Sequence, residues 1–412
     1  MKIEIINTGS ELLLGYVLNT HQQWLCRQLS DNGYRVERQL AINDSGPAIR
    51  EAVREAMRRA DLIITTGGLG PTSDDLTRQF IAELLGVDLR EDSAVRQRIE
   101  EFFARRSRQP PPGTLVQALI PEGATVLTNE HGTAPGLALP FAGGLIVMLP
   151  GPPRELRPMF LNQVLPLIEE KFPRPAGIAS LTLKSTGLGE SVVEEQIRGP
   201  LNPLVERGLA IGYCARVGEV DIRLSAKGEN SLALVAESEK IVRVLIGKYI
   251  FGSGDDSLES MIVRSLAEQN KTLALAESCT GGFIANRITN VSGASSVFLG
   301  GIVSYSNEAK QSLLGVEPTV LSQQGAVSNE TARAMAEGAR LRLSADYAIS
   351  VTGIAGPTGG TPEKPVGTVY IALADSSGTT ALKQLNQYDR ETFKFVTSQQ
   401  ALEMLRRKLI RP

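Results

Sequence analysis

Two segments far apart in the chain share one pattern. Ile63-Ile64-Thr65-Thr66-Gly67-Gly68-Leu69-Gly70-Pro71-Thr72 and Ile349-Ser350-Val351-Thr352-Gly353-Ile354-Ala355-Gly356-Pro357-Thr358 are each an apolar run closing in Thr-Gly-x-x-Gly-Pro-Thr. Such a run reads as a buried strand, and the glycines at its end let the backbone approach a ligand where a side chain would block it. In open α/β sheets ligands bind beyond the carboxyl ends of the strands. Two such loops therefore predict two α/β units, each with its own site. A chain of 412 residues is also too long for a single core, since domains usually run about 100–200 residues.

The hydrophobic pattern places the boundaries. Residues 1–171 alternate β-branched runs, such as Ile3–Asn7, Arg35–Ala41, Leu62–Thr66 and Gly144–Leu149, with amphipathic stretches such as Pro47–Arg59, Asp75–Leu85 and Ser93–Arg106. That alternation predicts a parallel sheet covered by helices. Composition changes at Phe172-Pro173-Arg174-Pro175. Residues 172–254 then offer strands Ala179–Lys184 and Glu219–Ala226 with helices near Ser191–Ile197 and Leu232–Leu245, a small α+β module. The run Gly252–Ser257 reads as a linker and helix cap. It opens a second α/β unit, residues 255–412, with helix Leu258–Gln269 and strand Thr272–Ala276.

Composition excludes several function classes. No stretch approaches the roughly 18 apolar residues of a membrane span, and Met1–Ile6 reads as a first strand instead of a signal peptide, so a cytoplasmic protein is expected. Three scattered cysteines, Cys26, Cys214 and Cys279, suit a reducing compartment. Cys26 and Cys214 read as small apolar filler. With 43 basic and 45 acidic residues there is no electrostatic case for nucleic acid. The only histidines are His21 and His131, so a metal would rest mainly on carboxylates, which favours a hard ion such as magnesium or manganese.

In the C-terminal unit, Ala276-Glu277-Ser278-Cys279-Thr280-Gly281-Gly282 joins an apolar strand to a helix starting near Phe283. A hydroxyl at that turn can be exposed, and the N–H groups of Thr280, Gly281 and Gly282 could cradle an oxyanion or a phosphate. Ser278 could equally be a simple helix cap. As a nucleophile a serine needs a base, and neither histidine lies in this unit. A lysine is the alternative. Gly300–Lys310 supplies a strand, a turn and a helix start carrying Tyr305 and Lys310. A lysine can act as base when burial lowers its pKa, and a tyrosine can relay the proton. Cys279 invites a thiol alternative, but a strand-to-helix turn aims only one of two adjacent side chains at a pocket.

Residues 255–412 resemble the CinA C-terminal domain, whose members include nicotinamide mononucleotide deamidases. The resemblance lies in Ala-Glu-Ser-Cys-Thr-Gly-Gly, Val303-Ser304-Tyr305-Ser306-Asn307-x-x-Lys310, Gly325-Ala326-Val327-Ser328 and Thr352–Pro357. It implies Ser278, Tyr305 and Lys310 as the catalytic set. It also implies attack of the serine on the carboxamide with release of ammonia, no cofactor, and a phosphate held against Thr352, Gly353 and Gly356 with Ser328 and Thr331 near by. The segment Gly359–Thr368 is either a lid or a plain connecting loop.

In the N-terminal unit, Thr8-Gly9-Ser10-Glu11 and Thr66–Thr77 are both strand-to-helix loops. The second sets Asp74 and Asp75 beside a glycine-lined hollow, where two carboxylates would repel a phosphate unless a divalent cation bridged them. Helix capping is the other reading of the pair. Glu11 could join them, and Glu155 is a further carboxylate. Residues 1–171 resemble the molybdopterin-binding-like domain of full-length CinA proteins through Ser-Glu-Leu-Leu-Leu-Gly, Gly-Gly-Leu-Gly-Pro-Thr-x-Asp-Asp and Leu-Pro-Gly-x-Pro-x-Glu. The resemblance implies a metal-dependent ADP-ribose pyrophosphatase forming AMP and ribose 5-phosphate. Thr8, Gly9, Ser10, Gly67, Gly68, Gly70 and Thr72 would line the substrate, and Glu11, Asp74 and Asp75 would hold Mg, Mn or Co. The competing reading is nucleotide or pterin binding without turnover, since fold does not fix function. The family architecture makes the middle module KH-like and the protein a homodimer. The module lacks a Gly-x-x-Gly clamp in a basic setting, which argues against RNA.

Overall fold

The computed structural model describes residues 1–173 and 177–410, so Arg174 and Pro175 of the expected first seam lie outside the described residues. The chain forms two compact units, residues 1–176 and 177–412.

Unit 1 is built on a six-stranded sheet. Its strands are β1 (Ile3–Thr8), β2 (Val36–Ile42), β3 (Leu62–Thr66), β6 (Thr125–Leu127), β7 (Gly136–Phe141) and β8 (Gly144–Leu149); β4 (Leu89–Glu91) and β5 (Leu119–Pro121) form a separate ribbon. The order is β2-β1-β3-β8-β7-β6, parallel from β2 through β8 and antiparallel at β7 and β6. The parallel expectation thus holds for four strands and gives way at one edge, where a tight turn between Phe141 and Gly144 leaves no room for a crossover helix. Strands β1, β3 and β8 are buried along their whole length, which is why they read as unbroken apolar runs. Alternation then divides their side chains. Ile6, Ile63 and Ile146 pack with the helices Gly46–Met57 and Thr77–Leu85, while Ile5, Ile64 and Val147 pack with the helix Thr20–Asp31 and the helical run 153–171.

Unit 2 contains two sheets. The first comprises β9 (Ile178–Thr186), β10 (Ala210–Arg216), β11 (Glu219–Lys227) and β12 (Ile250–Ser253) in the order β10-β11-β9-β12, backed by the helices Glu190–Glu206 and Ser231–Ile246. The first of these helices runs past its expected end near Ile197, through Pro200 and Pro203. Val193, Ile197, Leu201 and Leu204 form one buried stripe, and that burial outweighs the cost of two prolines. Strand β10 has mostly exposed side chains and lies outside the expected elements. It carries Cys214, which is exposed and therefore not core filler.

The second sheet comprises β13 (Leu273–Glu277), β14 (Phe298–Val303), β15 (Tyr347–Gly353), β16 (Thr368–Asp375) and β17 (Gly378–Leu385) in the order β14-β13-β15-β16-β17. The first three are parallel; β16 and β17 are an antiparallel extension. Leu273 and Leu275 face the helices Leu258–Glu268 and Arg390–Leu409, and Ala274 and Ala276 face the helix Asn329–Arg342. The long C-terminal helix also ties the two sheets together. Its buried Arg406 pairs with Glu403 and donates to Lys248 O, and Gln399 Nε2 donates to Glu219 Oε1 at 2.7 Å.

The same arrangement occurs in both units: β1 lies between β2 and β3, and β13 lies between β14 and β15. In each, the loop after the middle strand and the Thr-Gly loop after its neighbour meet at the carboxyl edge of the sheet. No helix among the described residues is long and apolar enough to cross a membrane.

Candidate active sites

Ser278 is the first residue after β13, and its N–H donates to Val351 O at 2.9 Å, which ties the turn to β15. Lys310 lies on the helix Asn307–Leu314, whose first turn is capped by the Ser306 hydroxyl. Only 1% of Lys310 is exposed. Its Nζ donates to Ser278 Oγ at 3.0 Å and to Ser304 O at 2.8 Å. Burial holds the lysine below its ordinary pKa, because the charged form loses its hydration. No acidic side chain among the described residues forms an ion pair with it. A neutral amine there can accept the serine proton along the same contact.

The turn itself uses up some of the donors expected to face a ligand. Gly281 N–H donates to Ser278 O, and Gly282 N–H donates to Glu277 Oε2. The same buried Glu277 carboxylate accepts from Ile284 and Ala285, so it caps the helix Phe283–Thr289 from beneath. Among the described residues the N–H group of Thr280 has no acceptor, and that of Cys279 meets only its own thiol. They, not those of Gly281 and Gly282, are the donors free to meet an oxyanion. Burial pushes the Cys279 thiol up to about 12, which works against the thiolate that a nucleophilic cysteine needs. The Thr280 and Ser304 hydroxyls are buried without a hydrogen-bond partner among the described residues.

Tyr305 behaves differently from the other two members of the expected set. It is 62% exposed, and its hydroxyl accepts from Arg390 Nη2 at 2.7 Å. Arg390 Nη1 donates to Gly356 O at 2.9 Å. The expected phosphate hydroxyls are engaged elsewhere. Thr352 Oγ1 donates to Ala326 O at 2.6 Å, and Ser328 donates to Gly325 O while capping Thr331 N–H. Gly353 and Gly356 are required by close packing, since an added Cβ would stand 2.8 Å from Thr368 O and 2.5 Å from Val366 Cγ1 respectively.

In unit 1, a cavity of about 500 Å³ opens at the carboxyl ends of β1 and β3. Thr8, Gly9, Glu11, Gly67, Gly68, Gly70, Asp74 and Asp75 line it, together with Asp44 and Glu155. Ser10 and Thr72 are not part of its lining and hold lining carboxylates instead: the Ser10 hydroxyl donates to Asp44, and Thr72 donates through N–H and hydroxyl to Asp75 Oδ2. Glu155 accepts from Asn129 Nδ2 at 2.8 Å. Five carboxylates therefore face one hollow, and Asp44, Asp74, Asp75 and Glu155 already accept hydrogen bonds within the protein. Their oxygens are the donor type a hard cation takes. Among the described residues, however, no group of three or more His, Cys, Asp or Glu side chains is close enough to hold an ion unaided. Glu11, Asp74 and Asp75 share the cavity without forming such a group.

Gly68 fixes the shape of this hollow. It has φ +68°, and an added Cβ would lie 2.0 Å from Thr77 Oγ1. Gly68→Ala is expected to destabilise unit 1 by about 2–4 kcal/mol through backbone strain and overpacking. A calorimetric scan of the variant that overlays the wild-type trace would refute this.

Comparison with known proteins covers both units. The family model for the CinA C-terminal domain matches residues 255–409, that for the Damage-inducible protein CinA KH domain matches 180–252, and that described as Probable molybdopterin binding domain matches 4–170. A CinA-like protein of Akkermansia muciniphila is 46% identical over 98% of this chain and 96% of its own length. The chain belongs to the CinA family. A CinA-like protein of Kosmotoga olearia is 43% identical across 100% of this chain and 99% of its own. Among solved structures, the competence/damage inducible protein CihA of Agrobacterium tumefaciens is 41% identical over 37% of this chain and 94% of its own, with a TM-score of 0.36.

In this CinA-family chain the structure therefore sorts the residues read from sequence. Ser278 and Lys310 are brought into hydrogen-bond contact, and Tyr305 is set on the rim with a different partner. Arg390, Glu277 and Asp44 escape the sequence reading. Arg390 lies 85 positions from Tyr305, and nothing local in Asp389-Arg390 links it to the serine turn. Asp44 lies in a loop with no motif. Glu277 stands inside a quoted motif, yet only its neighbour Ser278 offers an evident chemistry.

Proposed function

We infer that unit 2 hydrolyses the carboxamide of nicotinamide mononucleotide to nicotinic acid mononucleotide and ammonia. The observation that carries this reading is the buried 3.0 Å contact between Lys310 Nζ and Ser278 Oγ at the end of a central strand. Ser278 Oγ attacks the amide carbon while Lys310 takes its proton, and the developing oxyanion is met by the N–H groups of Cys279 and Thr280. The protonated lysine then hydrogen-bonds to and protonates the departing amine. A water, deprotonated by the same lysine, cleaves the acyl-enzyme and restores Ser278. The nicotinamide nucleotide as substrate rests on the family resemblance. The test is direct: purified protein with nicotinamide mononucleotide should release ammonia and the carboxylate product in equal amounts, and no release of either would refute the reading.

A second activity is favoured for unit 1 by its glycine-lined, carboxylate-rich cavity. We assign it hydrolysis of ADP-ribose to AMP and ribose 5-phosphate with Mg, Mn or Co, with Glu11, Asp74 and Asp75 as the oxygen donors to the cation. Persistence of ADP-ribose with each of these metals, alongside measurable binding, would establish the non-catalytic nucleotide- or pterin-binding alternative. The reading places the protein in the cytoplasm as a homodimer, with small nucleotides and not nucleic acid as partners. Sedimentation at micromolar concentration tests the dimer.

A further inference from the structure

Arg390 joins two loops at the carboxyl edge of the second sheet of unit 2. Tyr305 follows β14, Gly356 follows β15, and Ser278 follows β13, the strand between them. Neighbouring strands are about 4.8 Å apart, so the two outer loops stand roughly 10 Å from each other. The Arg390 guanidinium bonds to both outer loops and thus bridges the two loops that flank the central strand.

The charge of Arg390 is not neutralised by an ion pair among the described residues. Both of its acceptors are uncharged, a carbonyl and a phenol, and no acidic side chain among the described residues pairs with it. A guanidinium carries five N–H groups, and two are used. The Tyr305 hydroxyl accepts from Arg390 and keeps its own O–H to donate. The hydroxyls of Thr352 and Ser328, which could otherwise have bound an anion, are committed to loop carbonyls. Lys310 is buried on Ser278, and the loop cation Lys364 donates to Gln324 O.

We propose that Arg390 binds the phosphate of the nucleotide substrate and so selects it over the unphosphorylated nucleoside, and that Tyr305 holds the guanidinium in place and does not relay the catalytic proton. This rests on the amidase reading above. A guanidinium fork suits a phosphate better than a lysine does, because it offers two parallel donors in a fixed plane. The distribution of burial agrees with this division of labour, with proton transfer at the buried Ser278–Lys310 pair and anion recognition at the open Arg390–Tyr305 rim.

The test uses the full chain in two assays. In the first, nicotinamide mononucleotide and nicotinamide riboside are titrated into Ser278→Ala protein by calorimetry, alone and combined with Arg390→Ala, Arg390→Lys, Tyr305→Phe or Lys364→Ala. The expected result is that Arg390→Ala lowers the affinity ratio of nucleotide over riboside by roughly 30-fold or more, that Arg390→Lys restores part of it, and that Lys364→Ala changes it less than about threefold. Equal weakening of both ligands by Arg390→Ala, or loss of discrimination in Lys364→Ala instead, overturns the phosphate assignment. In the second assay, turnover of Tyr305→Phe should show a raised KM with kcat within about threefold and an unchanged pH profile. A roughly 100-fold loss of turnover rate on both substrates would make Tyr305 a proton relay and overturn its part of the proposal. Binding needs no turnover, so Arg390-dependent discrimination without any ammonia release would retract the amidase reading alone. Undetectable binding of the nucleotide to Ser278→Ala protein would retract the Arg390 assignment.

Discussion

Ser278→Ala and Lys310→Met are each expected to slow ammonia release by roughly 10³-fold or more at saturating substrate, and the double variant by little beyond either alone. Groups that act as a unit behave this way, because removing one leaves the other with nothing to do. Independent, multiplying losses would argue that the 3.0 Å contact is structural. Lys310→Arg should not restore activity, since a guanidinium does not deprotonate in proteins. The pH dependence follows from burial. Lys310 must be neutral to accept the serine proton, and burial holds its pKa below the ordinary lysine value. The rate constant kcat/KM should therefore rise with pH through an acid limb below about 10.4. A limb lying at or above that value would contradict the burial argument.

The same shift has a stability consequence of definite sign. Between the lowered pKa of folded Lys310 and its unfolded value, the unfolded chain binds more protons, so folding becomes more favourable as pH rises through that window. Lys310→Met should flatten this dependence, which unfolding midpoints measured on both sides of the window will show.

Glu277→Ala is expected to be among the most destabilising single changes in unit 2, costing about 3–5 kcal/mol. The carboxylate is 1% exposed and accepts three backbone N–H groups, from Gly282, Ile284 and Ala285. Without it, three donors at a helix start lose their acceptor in a place water reaches poorly. Glu277→Gln keeps the size but offers one oxygen and sets an amide NH₂ against N–H donors, so only part of the loss should be recovered. The unfolding midpoint of the alanine variant should fall by roughly 10 °C. Ammonia release should fall as well, because the loop that Glu277 organises also carries Ser278 and the free N–H groups. A midpoint within a degree of wild type would show that the helix start is held by something else.

Much of this architecture is legible in the sequence. The bounds of β3 and β8 follow from it to the residue, because strands buried on both faces are continuous apolar runs with glycines or prolines at their ends. Weaker patterns escape. β10 is an edge strand with exposed side chains, and β16 and β17 extend a parallel sheet that the βαβ rhythm alone would not lengthen. Local propensity cuts the helix Glu190–Glu206 short before Pro200, whereas the buried stripe carries it on.

The two candidate sites divide in the same way. Sequence alone determined that each large unit has a glycine loop at a strand end, that a serine in the second unit would need a base other than histidine, and that Lys310 was available for it. These conclusions follow from residue type and from spacing along one or two elements. Tertiary structure alone decided which N–H groups of the serine turn are free, because that depends on a carboxylate folding back under the helix. It also decided that Lys310 is buried while Tyr305 is open, and that Arg390 bonds to Tyr305 from 85 positions away. Burial, and hydrogen bonds between distant segments, depend on which elements pack together, and one stretch of chain does not carry that information.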